Sequence, residues 1–226
     1  MTGVFDVIIF VAILFMLCVL RMRWRPVVKE YLADSSRFIF YLTGDGGYST
    51  WTKKVCRLLQ AHHYNVISWD TRYFWGGRTL AQAVDAFEQI VNRVEFPKEL
   101  KQITVIGYSF GADLTPFILN NLSSTLRNQI SEVMLLSPSK KGELKIDLMT
   151  LLFPTHSGEL DIVSEINKLK LPVTVILNDH DSFADSDFRE GLTVKRLPGN
   201  HHFNGQYERV VETIVELMDP SQQLKD

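Results

Sequence analysis

Ile103-Thr104-Val105-Ile106-Gly107-Tyr108-Ser109-Phe110-Gly111-Ala112-Asp113 is the stretch whose reading decides the fold. A run rich in β-branched residues, then Gly-x-Ser-x-Gly, then an apolar pattern of helical spacing is what a strand, a sharp turn and a helix require when the turn must present one hydroxyl. Glycine two residues to either side of the serine lets strand and helix pass with no Cβ between them. The helix aims its amino end at Ser109, so the Phe110 N–H faces any negative charge that develops there. Ser109 is the candidate nucleophile. With 13 glycines in 226 residues, the pentapeptide arises by chance roughly 0.05 times in a chain of this length, so its surroundings must decide.

Toward the amino end, residues 37–43 form a continuous apolar run of strand length, the signature of a strand buried on both faces. It leads into Gly44-Asp45-Gly46-Gly47, which fits neither strand nor helix. A helix is expected from about Ser49, with Ser49 or Thr50 as its cap and Trp51, Val55, Leu58 and Leu59 on one face. Residues 64–69 are the next strand, ending at Asp70 and the aromatic loop 71–77. Thr79 caps a further helix carrying Ala83, Phe87, Ile90 and Val91 at helical spacing.

Toward the carboxyl end, residues 131–137, 171–177 and 192–197 read as strands, and a closing helix turns Val210, Val211, Ile214 and Val215 inward. Strands alternating with helices predict a mostly parallel sheet of about six strands with helices on both faces. Residues 139–167 have weaker periodicity and hold Pro154, His156 and Gly158. They read either as a lid over the carboxyl ends of the strands or as a solvated insertion.

At 46% hydrophobic and 22% charged residues, the chain suffices for one well-buried domain, residues 37–219, with a tail at 220–226. A net charge of −2 without a Lys/Arg-rich block excludes a nucleic-acid footprint. Cys18 and Cys56 make neither a disulfide framework nor a metal spacing. Residues 4–20 are apolar except for Asp6 and are followed by Arg21, Arg23, Trp24 and Arg25. Residues 1–25 are thus expected to form a short transmembrane or signal-anchor segment, with 26–36 as a linker. Three arginines on the carboxyl flank would leave the domain in the cytoplasm by the positive-inside rule.

A serine hydroxyl needs a base to take its proton and a third group to orient that base. The chain supplies them in the order serine, acid, histidine. Asp181, a few residues beyond the fifth strand, is the preferred acid, with Asp179 and Asp185 as fallbacks and simple turn roles for all three as the alternative. The preferred base is His202, directly before Phe203, with His201 as alternate. Adjacent histidines also suggest metal, but no further ligands stand at helical spacing, so no metal and no cofactor is expected. The turn 44–47 lacks the Lys-Ser/Thr of a nucleotide loop. It is read as the source of a second oxyanion donor, the N–H of Asp45 or Gly46, beside that of Phe110.

Gly44-Asp45-Gly46-Gly47, Asp70-x-Arg72-Tyr73-Phe74-Trp75, the Ser109 pentapeptide with Ala112-Asp113, and Leu197-Pro-Gly-x-His201-His202-Phe203-x-Gly205-x-Tyr207 together resemble the bacterial VirJ/AcvB virulence-protein domain, a branch of the α/β-hydrolases, over about residues 37–219. The resemblance implies a periplasmic, inner-membrane-associated hydrolase whose relatives cleave the aminoacyl ester of lysyl-phosphatidylglycerol, a compartment opposite to the one the arginine flank favours. The residues are compatible with such a substrate. Asp45 and Asp113 suit an ammonium group, Arg72 a phosphate, and Tyr73, Phe74 and Trp75 a lipid-facing wall. Rival readings are an esterase or thioesterase acting on a soluble ester, and a non-catalytic scaffold that holds a partner in an envelope assembly.

Overall fold

The computed structural model describes residues 26–74, 78–94, 102–142 and 160–219. The membrane segment expected at 1–25, Trp75 and the tail at 220–226 lie outside them. No described helix is long and apolar enough to cross a membrane.

In chain order the elements are β1 (Val28–Tyr31), β2 (Arg37–Leu42), α1 (Thr50–Ala61), β3 (Asn65–Trp69), a 3-10 turn at Thr71–Phe74, α2 (Leu80–Arg93), β4 (Gln102–Tyr108), α3 (Phe110–Asn120), α4 (Ser124–Arg127), β5 (Ile130–Leu136), β6 (Lys141–Gly142), β7 (Leu160–Asp161), α5 (Ile162–Lys168), β8 (Val173–Asn178), β9 (Thr193–Leu197) and α6 (Tyr207–Met218). The main sheet has the order β1-β3-β2-β4-β5-β8-β9. It is parallel throughout except for β1, which runs antiparallel to β3.

All six strands read from the sequence are present, and a seventh corrects the count. Val28–Tyr31, expected to be part of a linker, is an edge strand. Its two charged residues, Lys29 and Glu30, are exposed between half-buried ends and mark a short, protected edge, a pattern with no period-two signal to separate it from a linker.

Period two in the strands sorts the core into two halves. Phe38, Phe40 and Leu42 of β2 face one side and join Val105, Leu135, Phe87 and Leu114. Ile39 and Tyr41 face the other and join Ile106, Met134, Trp51, Val55, Val211 and Ile214. Helices α2, α3 and α5 thus cover one face, and α1 and α6 the other. Caps follow the sequence signals: Ser49 accepts from the Thr52 N–H at 3.3 Å, and Thr79 with Gln82 forms a capping box. Within 139–167, Lys141–Gly142 pairs with Leu160–Asp161 and α5 follows. Residues 143–159, the middle of the expected lid, lie outside the described residues.

β4 reverses into α3 within one residue, and the glycines explain how. A Cβ on Gly111 would lie 2.3 Å from the Leu42 carbonyl oxygen, and one on Gly107 would lie 2.5 Å from that of Gly111. Gly111→Ala is therefore expected to cost about 2 kcal/mol through overpacking. That is roughly 4–8 °C in Tm for a domain of this size, read by thermal melting of the purified chain.

Candidate active site

Ser109 sits at φ 52°, ψ −122°, a left-handed conformation that a non-glycine residue adopts at a cost of about 1–3 kcal/mol. Its N–H donates to the Leu136 carbonyl at 2.9 Å, and its carbonyl accepts from Ala112 and Asp113 at 2.7 and 3.0 Å. Its side chain caps nothing, so the hydroxyl is left for another partner. That partner is His201, whose Nε2 lies 2.8 Å from Ser109 Oγ.

This corrects the expected choice of histidine. His202 turns its ring the other way, and its Nδ1 hydrogen-bonds the Tyr108 hydroxyl. Winding of the turn decides between the neighbours. Asn200 Oδ1 accepts from the His202 and Asn204 N–H groups at 3.0 and 3.1 Å, and Phe203, at φ 49°, is driven into the core 5.8 Å from Trp51. Tyr108, itself buried and stacked on Trp51 at 4.9 Å, also donates to the His201 carbonyl at 3.3 Å. Sequence reading missed Tyr108. Its place beside the serine was visible, but nothing in the motif tells a core tyrosine from one that holds the histidine turn.

The acids divide their roles. Asp181 Oδ2 accepts from the Asn178 N–H at 2.8 Å, and its carboxylate acts electrostatically on His201. Among the described residues no carboxylate is hydrogen-bonded to His201 Nδ1. Asp179 accepts from the Gly199 N–H at 2.9 Å and so ties the acid loop to the histidine turn. Asp185 makes no described contact with this group and meets Arg196 at 3.3 Å. Burial and the neighbouring His202 hold the His201 pKa below the ordinary 6.5, against the opposite pull of Asp181 and Asp45. The imidazole is therefore neutral at neutral pH, the form able to take a proton.

The glycine turn lies directly over the serine, since a Cβ on Gly44 would come 3.3 Å from Ser109 Cβ. Thr71 holds it there, its hydroxyl donating to the Gly44 carbonyl at 2.8 Å. The two candidate donors in this turn are not equivalent. Gly46 N–H is already bound to Asp45 Oδ1 at 2.8 Å, whereas among the described residues neither the Asp45 nor the Phe110 N–H has an acceptor.

Two expected substrate contacts are occupied within the fold. Arg72 Nε donates to both oxygens of the buried Asp70, at 3.0 and 3.1 Å. Asp113 is 8% exposed and accepts from the Ser139 N–H at 2.6 Å, fastening the start of the 139–167 segment to α3. Tyr73 stays half-buried, packed against Trp69 and under Arg78. Among the described residues no group of histidines, cysteines and carboxylates could hold a metal ion.

A strand, a strained serine and a helix, with an imidazole from the turn after the last strand, define the architecture of an α/β-hydrolase. The chain belongs to the family of the bacterial virulence protein VirJ, whose model matches residues 36–222. Among curated proteins none matches the chain. Solved structures of the same fold include a lipase-esterase related protein from Clostridium acetobutylicum ATCC 824, at 17% identity and TM-score 0.60 over 84% of this chain and 98% of that one. Est1E from Butyrivibrio proteoclasticus is similar at 14% identity and TM-score 0.59, over 84% and 92%. Proline iminopeptidase from Mycobacterium smegmatis is similar at 12% identity and TM-score 0.60, over 88% and 96%. At these identities the likeness concerns the fold alone.

Desolvation raises the Asp113 pKa from 3.8 to about 6. Between the unfolded value and that of the fold, the folded chain keeps a proton that the unfolded chain has lost. Stability therefore falls as pH rises through the window from about 4 to about 6, and levels off above it. Asn in place of the acid keeps an acceptor for Ser139 and has no charge to bury. Denaturant unfolding at pH 4 and pH 7.5 should thus show Asp113→Asn gaining on wild type by up to about 3 kcal/mol at the higher pH.

Proposed function

We propose that this protein is a membrane-anchored serine hydrolase that cleaves a carboxylic ester. The observation that carries the reading is the 2.8 Å approach of His201 Nε2 to a serine hydroxyl on a strained turn. Ser109 attacks the ester carbonyl while His201 takes its proton. The backbone N–H groups of Phe110 and Asp45 receive the oxyanion, each such donor contributing typically about 3 kcal/mol to the transition state. The alkoxide leaves with the proton His201 holds, and water, deprotonated by the same imidazole, then releases the acyl group from Ser109. Asp181 favours the imidazolium that forms in each half-reaction.

Residues 4–20 supply the anchor, and family membership favours a periplasmic domain. The substrate class that the family resemblance implies is the aminoacyl ester of lysyl-phosphatidylglycerol. Asp45, exposed on the turn beside Ser109, suits its ammonium groups.

Fluorophosphonate labelling and ester hydrolysis test the assignment. Ser109→Ala and His201→Ala should each lower hydrolysis on the order of 10⁴-fold or more. His202→Ala should lose no more than about 10²-fold, the size of a positioning loss. The reverse ranking of the two histidines would return the base to His202. The acid limb of kcat/KM should lie below pH 6.5, since His201 is held below that value. Lipid extracts of cells with wild type and with Ser109→Ala test the substrate, because only the active chain should deplete the aminoacylated lipid. A wild type that stays unlabelled would favour a binding role for the scaffold.

A further inference from the structure

β1 changes where the start of the chain lies. Val28 pairs with Trp69, Trp69 with Leu42, and Leu42 with Gly107, so one rung of the sheet runs from the first described strand to a residue two before Ser109. Three interstrand steps of about 4.8 Å put Val28 roughly 14 Å from that rung's end at β4. Because β1 is antiparallel to its neighbours, the chain reaches it from the carboxyl edge of the sheet, the edge that carries Ser109. The entry is pinned: Asp70 N–H and Tyr48 OH donate to the Val27 carbonyl at 3.0 and 3.2 Å. Whatever path residues 21–26 take, the seven steps from Leu20 to Val27 span at most about 25 Å.

Charge on this edge is divided. On the β1 side stand Lys29, 4.5 Å over the Tyr48 ring, Arg78, 3.9 Å over the Tyr73 ring, and Val27, an apolar side chain 53% exposed, with Asp45 after β2 as an exposed acid among them. Arg21, Arg23 and Arg25 immediately precede them in the chain. Beyond Ser109, the loops after β8 carry Asp179, Asp181 and Asp185. Cations and aromatic rings on the side nearest an apolar segment are the composition of a surface that meets anionic head groups.

We propose that the carboxyl edge of the sheet, on its β1 side, rests on an anionic lipid surface, the bilayer that holds residues 4–20, so that Ser109 opens toward that bilayer. The inference rests on reading residues 4–20 as a membrane segment. It adds an orientation: the ester enters from the leaflet beneath the domain, and the amino ends of the strands point away from it.

The test uses the full chain with Cys18→Ser, reconstituted in phosphatidylglycerol/phosphatidylethanolamine vesicles that contain a head-group spin-labelled lipid. A single fluorophore is attached to a cysteine at Val27, Ala81, Asn128 or Lys170. Val27 and Ala81 lie at the carboxyl edge, Asn128 and Lys170 at the amino edge, and all four are exposed. Fluorescence should be lost at Val27 and Ala81 and unchanged at Asn128 and Lys170. Equal quenching at both edges, or quenching at the amino edge alone, would overturn the orientation while leaving the anchor and the esterase reading intact. A chain released by carbonate extraction would overturn the anchor itself, and the inference with it.

Discussion

The structure depends on one close approach. At the end of β4 the backbone must reverse into α3 within the width of a single residue, while the carbonyls of Leu42 and Thr43 press against Gly111 from the neighbouring strand. No side chain larger than hydrogen fits at either glycine. This crowding forces Ser109 into its positive-φ conformation, and the strain is offset by the bonds that hold it: its N–H on Leu136 and its carbonyl on the first turn of α3. A serine held this way cannot turn its side chain inward to cap the helix, and its hydroxyl remains at the rim.

Everything else at the rim arrives on loops that the sheet merely aims, so each loop needs its own fastening. The glycine turn after β2 is held by Thr71, which follows β3. The acid loop after β8 is closed on itself by Asp181 and Asn178, and Asn178 reaches back to the Ser137 hydroxyl at 3.1 Å. Asp179 ties that loop to the histidine turn after β9. Five strand ends, those of β2, β3, β5, β8 and β9, are thus joined by side-chain bonds, mostly to backbone, of the kind in which the short residues Thr, Asn and Asp compete well.

These fastenings also mark where sequence reading stops. The order of strands, the serine turn and the neighbourhood of acid and histidine were all legible, because periodicity and glycine spacing are properties of the chain itself. Which of two adjacent histidines faces the serine was not. That depends on Asn200 capping its own turn and on Phe203 finding Trp51, residues about 150 positions apart in the chain. The same holds for Asp113, whose motif position suggested a ligand contact but whose carboxyl is spent on Ser139. β1 escaped notice because four residues of mixed charge become a strand only once β3 offers them an open edge.

The pair of histidines is coupled through Tyr108, and one proton governs the coupling. Burial pushes the Tyr108 pKa upward, so its hydroxyl stays protonated and has a single hydrogen to give to two acceptors, His202 Nδ1 and the His201 carbonyl. With His202 neutral and its Nδ1 bare, the hydroxyl donates to the ring. With His202 charged, the ring N–H donates to the tyrosine oxygen and the hydroxyl is free for the His201 carbonyl. In both arrangements the bond between Tyr108 and His202 persists, and only in the second does the hydroxyl also serve the His201 carbonyl. What changes is the field: a charged His202 disfavours a second charge on His201. The residue that does not touch Ser109 thereby adds to burial in keeping a proton off the one that does.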